Sequence, residues 1–342
     1  MKGWSLLVVL LLSACLYGQD ELPARGDLNG DTVTDAVDTV ILANYQVGHL
    51  ATLYSAGDIC GLDRIVGVLR FVPAGTFTQG RGTGDPCTEP DETAFTHELT
   101  SDLAVMATEV TRKMWAELKA AQPTLPDDLT PSSEDVTNPV MLYWTRALLF
   151  ANLLNIETGR TRCYYTDAAF TVPIDASNYS TGPFYCDWTA DGYRLPTEGE
   201  WEYFCRAGTT SAFSVAEPMF THCSPFCTAG VLVDLESVAW FCANLNDPLG
   251  NNTPKPAAMK DPNPWGLHDV HGNMWEMCWD IYDTYPTGTV TNYRGASSGT
   301  LRVIRGGGYD SNADACRSAE RGGIQPNFGS ANLGFRLCRL AD

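Results

Sequence analysis

The last forty residues constrain the fold more than any other stretch. They run Arg302-Val303-Ile304-Arg305-Gly306-Gly307-Gly308-Tyr309, then Cys316-Arg317-Ser318-Ala319-Glu320-Arg321, then Asn332-Leu333-Gly334-Phe335-Arg336. Short apolar pieces alternate with glycine turns. Leu301 to Ile304 reads as a strand, and its surroundings, rich in Gly, Asn and Pro, leave room for short strands and long loops. The 342 residues suffice for one large domain and a small one, and 44% apolar against 18% charged residues allows a packed core. The formal charge of −19 repels nucleic-acid phosphates and anionic headgroups. Calcium is the partner such carboxylates invite; a merely solvated acidic surface is the plainer alternative.

Lys2 precedes the apolar run Leu6 to Leu12, too short to span a bilayer and suited to a signal-peptide core. Residues 1–19 are therefore expected to be a leader. Leu12-Ser13-Ala14-Cys15 resembles a bacterial lipobox, in which cleavage before Cys15 leaves a lipidated thiol. Ordinary secretion is the alternative. The mature chain is expected outside the cytoplasm in either case, touching membrane only through a lipid anchor. Its 12 cysteines then suit an oxidising compartment.

Residues 20–66 form a linker and a small module. Asp27, Asn29, Asp31, Asp35 and Asp38 supply side-chain oxygens at loop positions 1, 3, 5, 9 and 12, and Val33 offers its carbonyl at position 7. This is EF-hand-type calcium spacing, and Asp at position 12 resembles a dockerin loop. A cohesin-like partner follows from that resemblance. Thr32 stands where glycine is preferred, and the second half, Gly57 to Asp63, is too short for a second loop. An Asp-rich turn without metal is the alternative.

From residue 67 onward the pattern is mixed. Phe71 to Phe77 reads as an opening strand. Met114, Trp115 and Leu118 recur at helical spacing until Pro123, and Trp144, Leu148, Ala151 and Asn152 share a second helical face. Thr197 with Glu200 makes a capping box, so a third helix starts near residue 198. Cys163 and Cys186 bracket an aromatic, β-prone stretch, read as a hairpin closed by a Cys163–Cys186 disulfide. Gly295-Ala296-Ser297-Ser298-Gly299 fits a nucleophile-elbow pattern but lacks the strand before it and the helix after it, and reads as a loop.

Tyr193-Arg194-Leu195-Pro196-Thr197-Glu198-Gly199-Glu200-Trp201-Glu202-Tyr203, then Gly266-Leu267-His268-Asp269-Val270-His271-Gly272-Asn273-Met274-Trp275-Glu276, then the closing motifs, resemble the sulfatase-modifying-factor, or formylglycine-generating-enzyme, family in order and spacing over residues 67–342. The resemblance implies an α+β fold, the family's variant of the C-type lectin fold, low in regular secondary structure. It implies an interior calcium held by Asp269, the carbonyls of Gly272 and Met274, and Glu276, against the alternative of a capped loop. A second calcium would use Asn244 and the Leu245 carbonyl. A Cys205–Cys338 disulfide is implied as well. Of the five histidines (His49, His97, His222, His268, His271), none stands in the H-x-x-x-H spacing of the family's iron-dependent relatives.

The family's oxidase holds Cu(I) between two thiolates five residues apart, because the soft ion prefers sulfur. Ser311 occupies the first of these positions. Cys316 stands at the second, and aligned from the downstream motif no cysteine meets either one. Copper is thus not expected, and Cys316 is read as disulfide-bonded to Cys223. Two functions follow. One is an exported, calcium-stabilised module binding a ligand or protein segment. The other is an oxidase converting a substrate protein's cysteine to formylglycine.

Overall fold

The computed structural model describes residues 65–341, apart from 83–84, 86, 88, 133, 216–232 and 246–252. The leader with Cys15, the calcium loop from Asp27 to Asp38, and Cys223 lie outside them.

Three small sheets carry the architecture. One is antiparallel, in the order β1 (Leu69–Val72), β4 (Leu103–Met106), β14 (Cys338–Leu340). The second pairs β2 (Gly75–Gln79) with β3 (Phe95–Leu99), and β10 (Thr289–Thr291) lies parallel on the far side of β3. The third runs β12 (Arg321–Ile324), β11 (Arg302–Arg305), β9 (Trp275–Ile281), β13 (Leu333–Gly334). Two-residue pairs complete the set: β5 (Tyr164–Tyr165) with β6 (Tyr185–Cys186), and β7 (Ala239–Trp240) with β8 (His271–Gly272). The single opening strand expected over Phe71–Phe77 is in fact two strands in different sheets. Pro73 has no N–H to give a ladder, and the next amide, Ala74, is drawn aside to the Asp102 carboxylate at 2.6 Å.

Helix α1 (Arg112–Ala121) starts where the Thr111 hydroxyl accepts from the Met114 amide, and it buries Trp115 and Leu118. Helix α2 (Trp144–Glu157) is buried on every side along most of its length, from Trp144 to Asn155. Trp115 stacks on Phe150 of α2 at 5.1 Å. Two asparagines make a buried α2 tolerable. Asn152 accepts from the amides of Cys163 and Tyr164 and donates to the carbonyls of Tyr164 and Ile174, and Asn155 accepts from the Tyr193 amide and donates to its carbonyl.

Helix α3 (Glu198–Arg206) has the expected capping box. Thr197 Oγ1 accepts from Glu200 N at 3.1 Å, and Glu200 Oε2 accepts from Thr197 N at 2.8 Å. The helix packs on β2, β9 and β11, and Trp201, Phe204 and Cys205 join Val72, Leu103, Val105 and Val303 in one apolar cluster.

Candidate functional site

Behind α3 lies a lattice of buried ion pairs. Arg305, fully buried, contacts Glu202 and donates to the Ser318 carbonyl at 2.9 Å. Glu202 also takes Arg206 Nε at 2.9 Å. Glu198 receives both forks of Arg321 at 2.7 Å each. Glu276 accepts Arg336 Nε at 2.7 Å, Arg336 Nη2 at 2.5 Å and the Trp201 indole N–H at 2.8 Å. Bidentate guanidinium–carboxylate geometry offsets the desolvation of both charges. The motif glutamates and arginines of the closing forty residues are thus tied to one another across the sheet.

The residues of the interior calcium set expected from the family have the following surroundings. Both Glu276 oxygens accept from Arg336, and Oε2 also from the Trp201 indole, so Glu276 is an ion-pair partner in this structure. Asn244 accepts from the Phe241 amide and donates to the Ala239 carbonyl, stitching its own turn. Met274 and Leu245 pack in an apolar cluster with Met141 and Tyr309. Gly272 sits against the Trp240 carbonyl, with a positive φ of 79° and no room for a side chain. Among the described residues no cluster of three or more His, Cys, Asp or Glu could hold a metal.

Asp269 remains buried with φ of 56°. Its Oδ2 accepts from the Ala258 amide at 2.7 Å, while Oδ1 has no partner. Its neighbour is Glu109, three residues before α1 and part of no motif read from the sequence. Glu109 Oε1 accepts from Asn273 Nδ2 at 3.1 Å, and Oε2 is also orphaned. Burial pushes the Asp269 carboxyl up to about 6. It lifts Glu109 well above the usual carboxylate range, helped by repulsion from Asp269 and Glu276. Both shifts favour the protonated form of these buried acids.

The turn carrying Ser311 and Cys316 is built on glycines. Gly306 and Gly307 have φ of 94° and 74°, and a side chain at Gly307 would strike Cys316 Sγ at 2.8 Å. The Ser311 hydroxyl accepts from the Gly308 amide at 3.0 Å and the Trp275 indole N–H at 3.2 Å. Cys316 closes a 3₁₀ turn (Ala313–Cys316) and is fully buried beside Phe213, Leu235, Phe241 and Ala313. Burial and the nearby Asp314 push its thiol far up, so it stays protonated. A hydroxyl held by two donors and a buried neutral thiol do not fit Cu(I), which needs paired thiolates.

The cysteine pairings are corrected. Cys163, Cys186, Cys205, Cys316 and Cys338 are free buried thiols, as is Cys278. Cys163 and Cys186 lie in one apolar cluster, Cys186 opposite Tyr164 in the β5–β6 register, but they are not bonded. Cys205 lies against the Val270 carbonyl, His271 and Ser318, whereas Cys338 lies 3.3 Å from Arg194 Nη1. Cys316 approaches the Asn312 carbonyl and so is not paired with Cys223. Cys87 and Cys242 are the disulfide-bonded cysteines among the described residues.

The pattern of the sulfatase-modifying factor enzyme 1-like domain matches residues 67–341. The chain belongs to this family. Its similarity to family members is moderate. It is 26% identical over 257 residues to the chaperone protein LppX of Paenibacillus barcinonensis, covering 70% of this chain and 80% of that one. It is 30% identical to the formylglycine-generating enzyme of Streptomyces coelicolor, covering 50% of this chain and 53% of the enzyme. The inactive C-alpha-formylglycine-generating enzyme 2 of Mus musculus is 28% identical, with 50% of each chain covered. The chain thus spans about half the length of the formylglycine-generating enzymes it matches. Among solved structures, Treponema denticola variable protein 1 superposes with a TM-score of 0.62 at 27% identity over 80% of this chain and 94% of that one. PvdO from Pseudomonas aeruginosa shares the fold, with a TM-score of 0.57. The family's mixture of helix and short strands fits the α+β class read from the sequence.

Proposed function

We propose that this chain is an exported binding module, built on the formylglycine-generating-enzyme variant of the C-type lectin fold and lacking copper-dependent oxidase activity. The observation that carries the proposal is the Ser311–Cys316 turn, where the hydroxyl is locked by Gly308 and Trp275 and the single thiol is buried and neutral. The family relatives bearing the names chaperone and inactive enzyme agree with a non-oxidase role. Export is supported by the apolar run after Lys2 and by the disulfide-bonded Cys87 and Cys242, since such bonds persist in oxidising compartments. Among the described residues no helix is long and apolar enough to cross a membrane. Calcium is proposed only for the Asp27–Asp38 loop, on its ligand spacing.

The test is direct. The mature chain is incubated with Cu(I), oxygen and a Cys-x-Pro-x-Arg peptide, and the peptide is weighed by mass spectrometry. An unchanged thiol is the expected result. Conversion to formylglycine at a rate that follows enzyme concentration would overturn the proposal.

A further inference from the structure

A cavity remote in sequence from the Ser311 turn carries an uncompensated positive charge in an otherwise acidic protein. It is a small cleft of about 50 Å³, open to solvent. Its walls come from the end of β3, the N-terminus of α3, the segment after β10 and the last residues of β14, with Leu99 and Leu340 as apolar lining. Two arginines meet at Trp188. Arg194 Cζ lies 4.9 Å and Arg294 Cζ 4.3 Å from the centre of its ring.

The two guanidinium groups are in different electrostatic states. Arg194 is buried, and its two terminal nitrogens reach the two Glu200 oxygens at 2.7 Å each, so its charge is matched. Arg294 is exposed, and among the described residues no carboxylate lies within ion-pair distance of it. Tyr293 and Ser101 line the same cavity. The Tyr293 backbone is fixed: its amide donates to His97 Nε2 at 2.9 Å, and Asn292 is held by Thr100 through two hydrogen bonds. Stacking on Trp188 pre-orders the Arg294 fork, so less freedom is lost when it closes on a planar anion.

We propose that this cavity binds a carboxylate with an apolar body, the carboxylate facing Arg294 and the body lying against Trp188, Leu99 and Leu340. A guanidinium fork matches the two oxygens of a carboxylate, and the cleft beside it opens to solvent, so the ligand's body can extend beyond it. The inference goes beyond the binding-module reading and stands even if the Ser311 turn proves catalytic. A free aromatic acid and a peptide C-terminus share the required chemistry.

The experiment titrates the mature protein with benzoate and with N-acetylphenylalanine by calorimetry. Their neutral amides and inorganic phosphate serve as controls, and each titration is repeated on Arg294→Gln and Arg294→Lys. Arg294 makes no ion pair, so both variants are expected to melt where the wild type does. Saturable binding of either acid is expected, with at least a tenfold loss in Arg294→Gln, partial recovery in Arg294→Lys, and no binding of the amides. Preference for benzoate identifies a free acid, and preference for the acetylated amino acid a chain terminus. The proposal fails if neither acid binds, if the amides or phosphate bind as well as the acids, or if Arg294→Gln binds unchanged.

Discussion

The charges behind α3 and those around Asp269 are made of the same residue types, equally buried, yet they are in opposite states. Behind α3, Glu198, Glu202 and Glu276 each meet an arginine fork. Around Asp269, two acids face each other with Oδ1 and Oε2 unpartnered. The first region is held by pairing, and removing one partner strands a charge. The second is held by a proton, and removing the proton strands a charge. Burial alone does not decide whether a carboxylate stabilises; the donor facing it does.

Acidification should show the largest effect. His97, His268 and His271 flank these regions as buried neutral rings, each pushed down to about 4 by burial. A depressed folded value below the unfolded one, near 6.5, means stability that is complete above pH 6.5 and lost as pH falls toward 4. Each ring can cost up to about 3 kcal/mol across that window, enough together to remove most of a domain's stability. Equilibrium urea unfolding at intervals from pH 7 to pH 4 checks this, and a flat profile would mean that the rings protonate without unfolding.

Next in size is the arginine pair. Arg336→Met leaves Glu276 buried against one indole N–H, for an expected loss of about 3–5 kcal/mol. The double variant Arg336→Met with Glu276→Met should recover more than half of it, measured by the same unfolding transition. Equal losses in single and double variants would show that packing, not charge, is what Arg336 supplies.

Asp269→Asn should have the smallest effect, and a favourable one. The raised Asp269 value means its folded-state contribution is present below about pH 4 and lost as pH rises through 6, so at pH 8 the ionised acid is a burden. Asn can accept the Ala258 amide, donate toward Glu109 and adopt the positive φ. A gain of about 1–2 kcal/mol at pH 8 that disappears by pH 5 is expected from thermal melts. A loss at pH 8, together with a melting temperature of the 67–341 region lowered by chelator, would instead reveal a cation between Asp269 and Glu109.

Much of the scaffold was legible beforehand. The Thr197–Glu200 box, the helices at Arg112 and Trp144, and the glycine turn at Gly306 are local devices, fixed by side chains within a few residues of one another. The site was less legible. The calcium role of Glu276 came only from the family resemblance, and its partner in the structure, Arg336, lies 60 residues away, beyond the reach of any local pattern. The expected disulfides Cys205–Cys338, implied by the resemblance, and Cys163–Cys186, read from a bracketed hairpin, are absent, because residue identity does not set the distance between two sulfurs. Glu109, Trp188 and Arg294 belonged to no motif, and their roles come from contacts made at long range.

By itself the sequence determined the family scaffold and the helix starts, because each depends on residue identity at one position or on a few adjacent ones. Tertiary structure alone decided which carboxylates are paired, which thiols stay apart, and where an arginine remains unmatched beside an indole. Those outcomes depend on the distance between chain segments far apart in sequence, and Coulomb and hydrogen-bond energies fall off over a few ångströms.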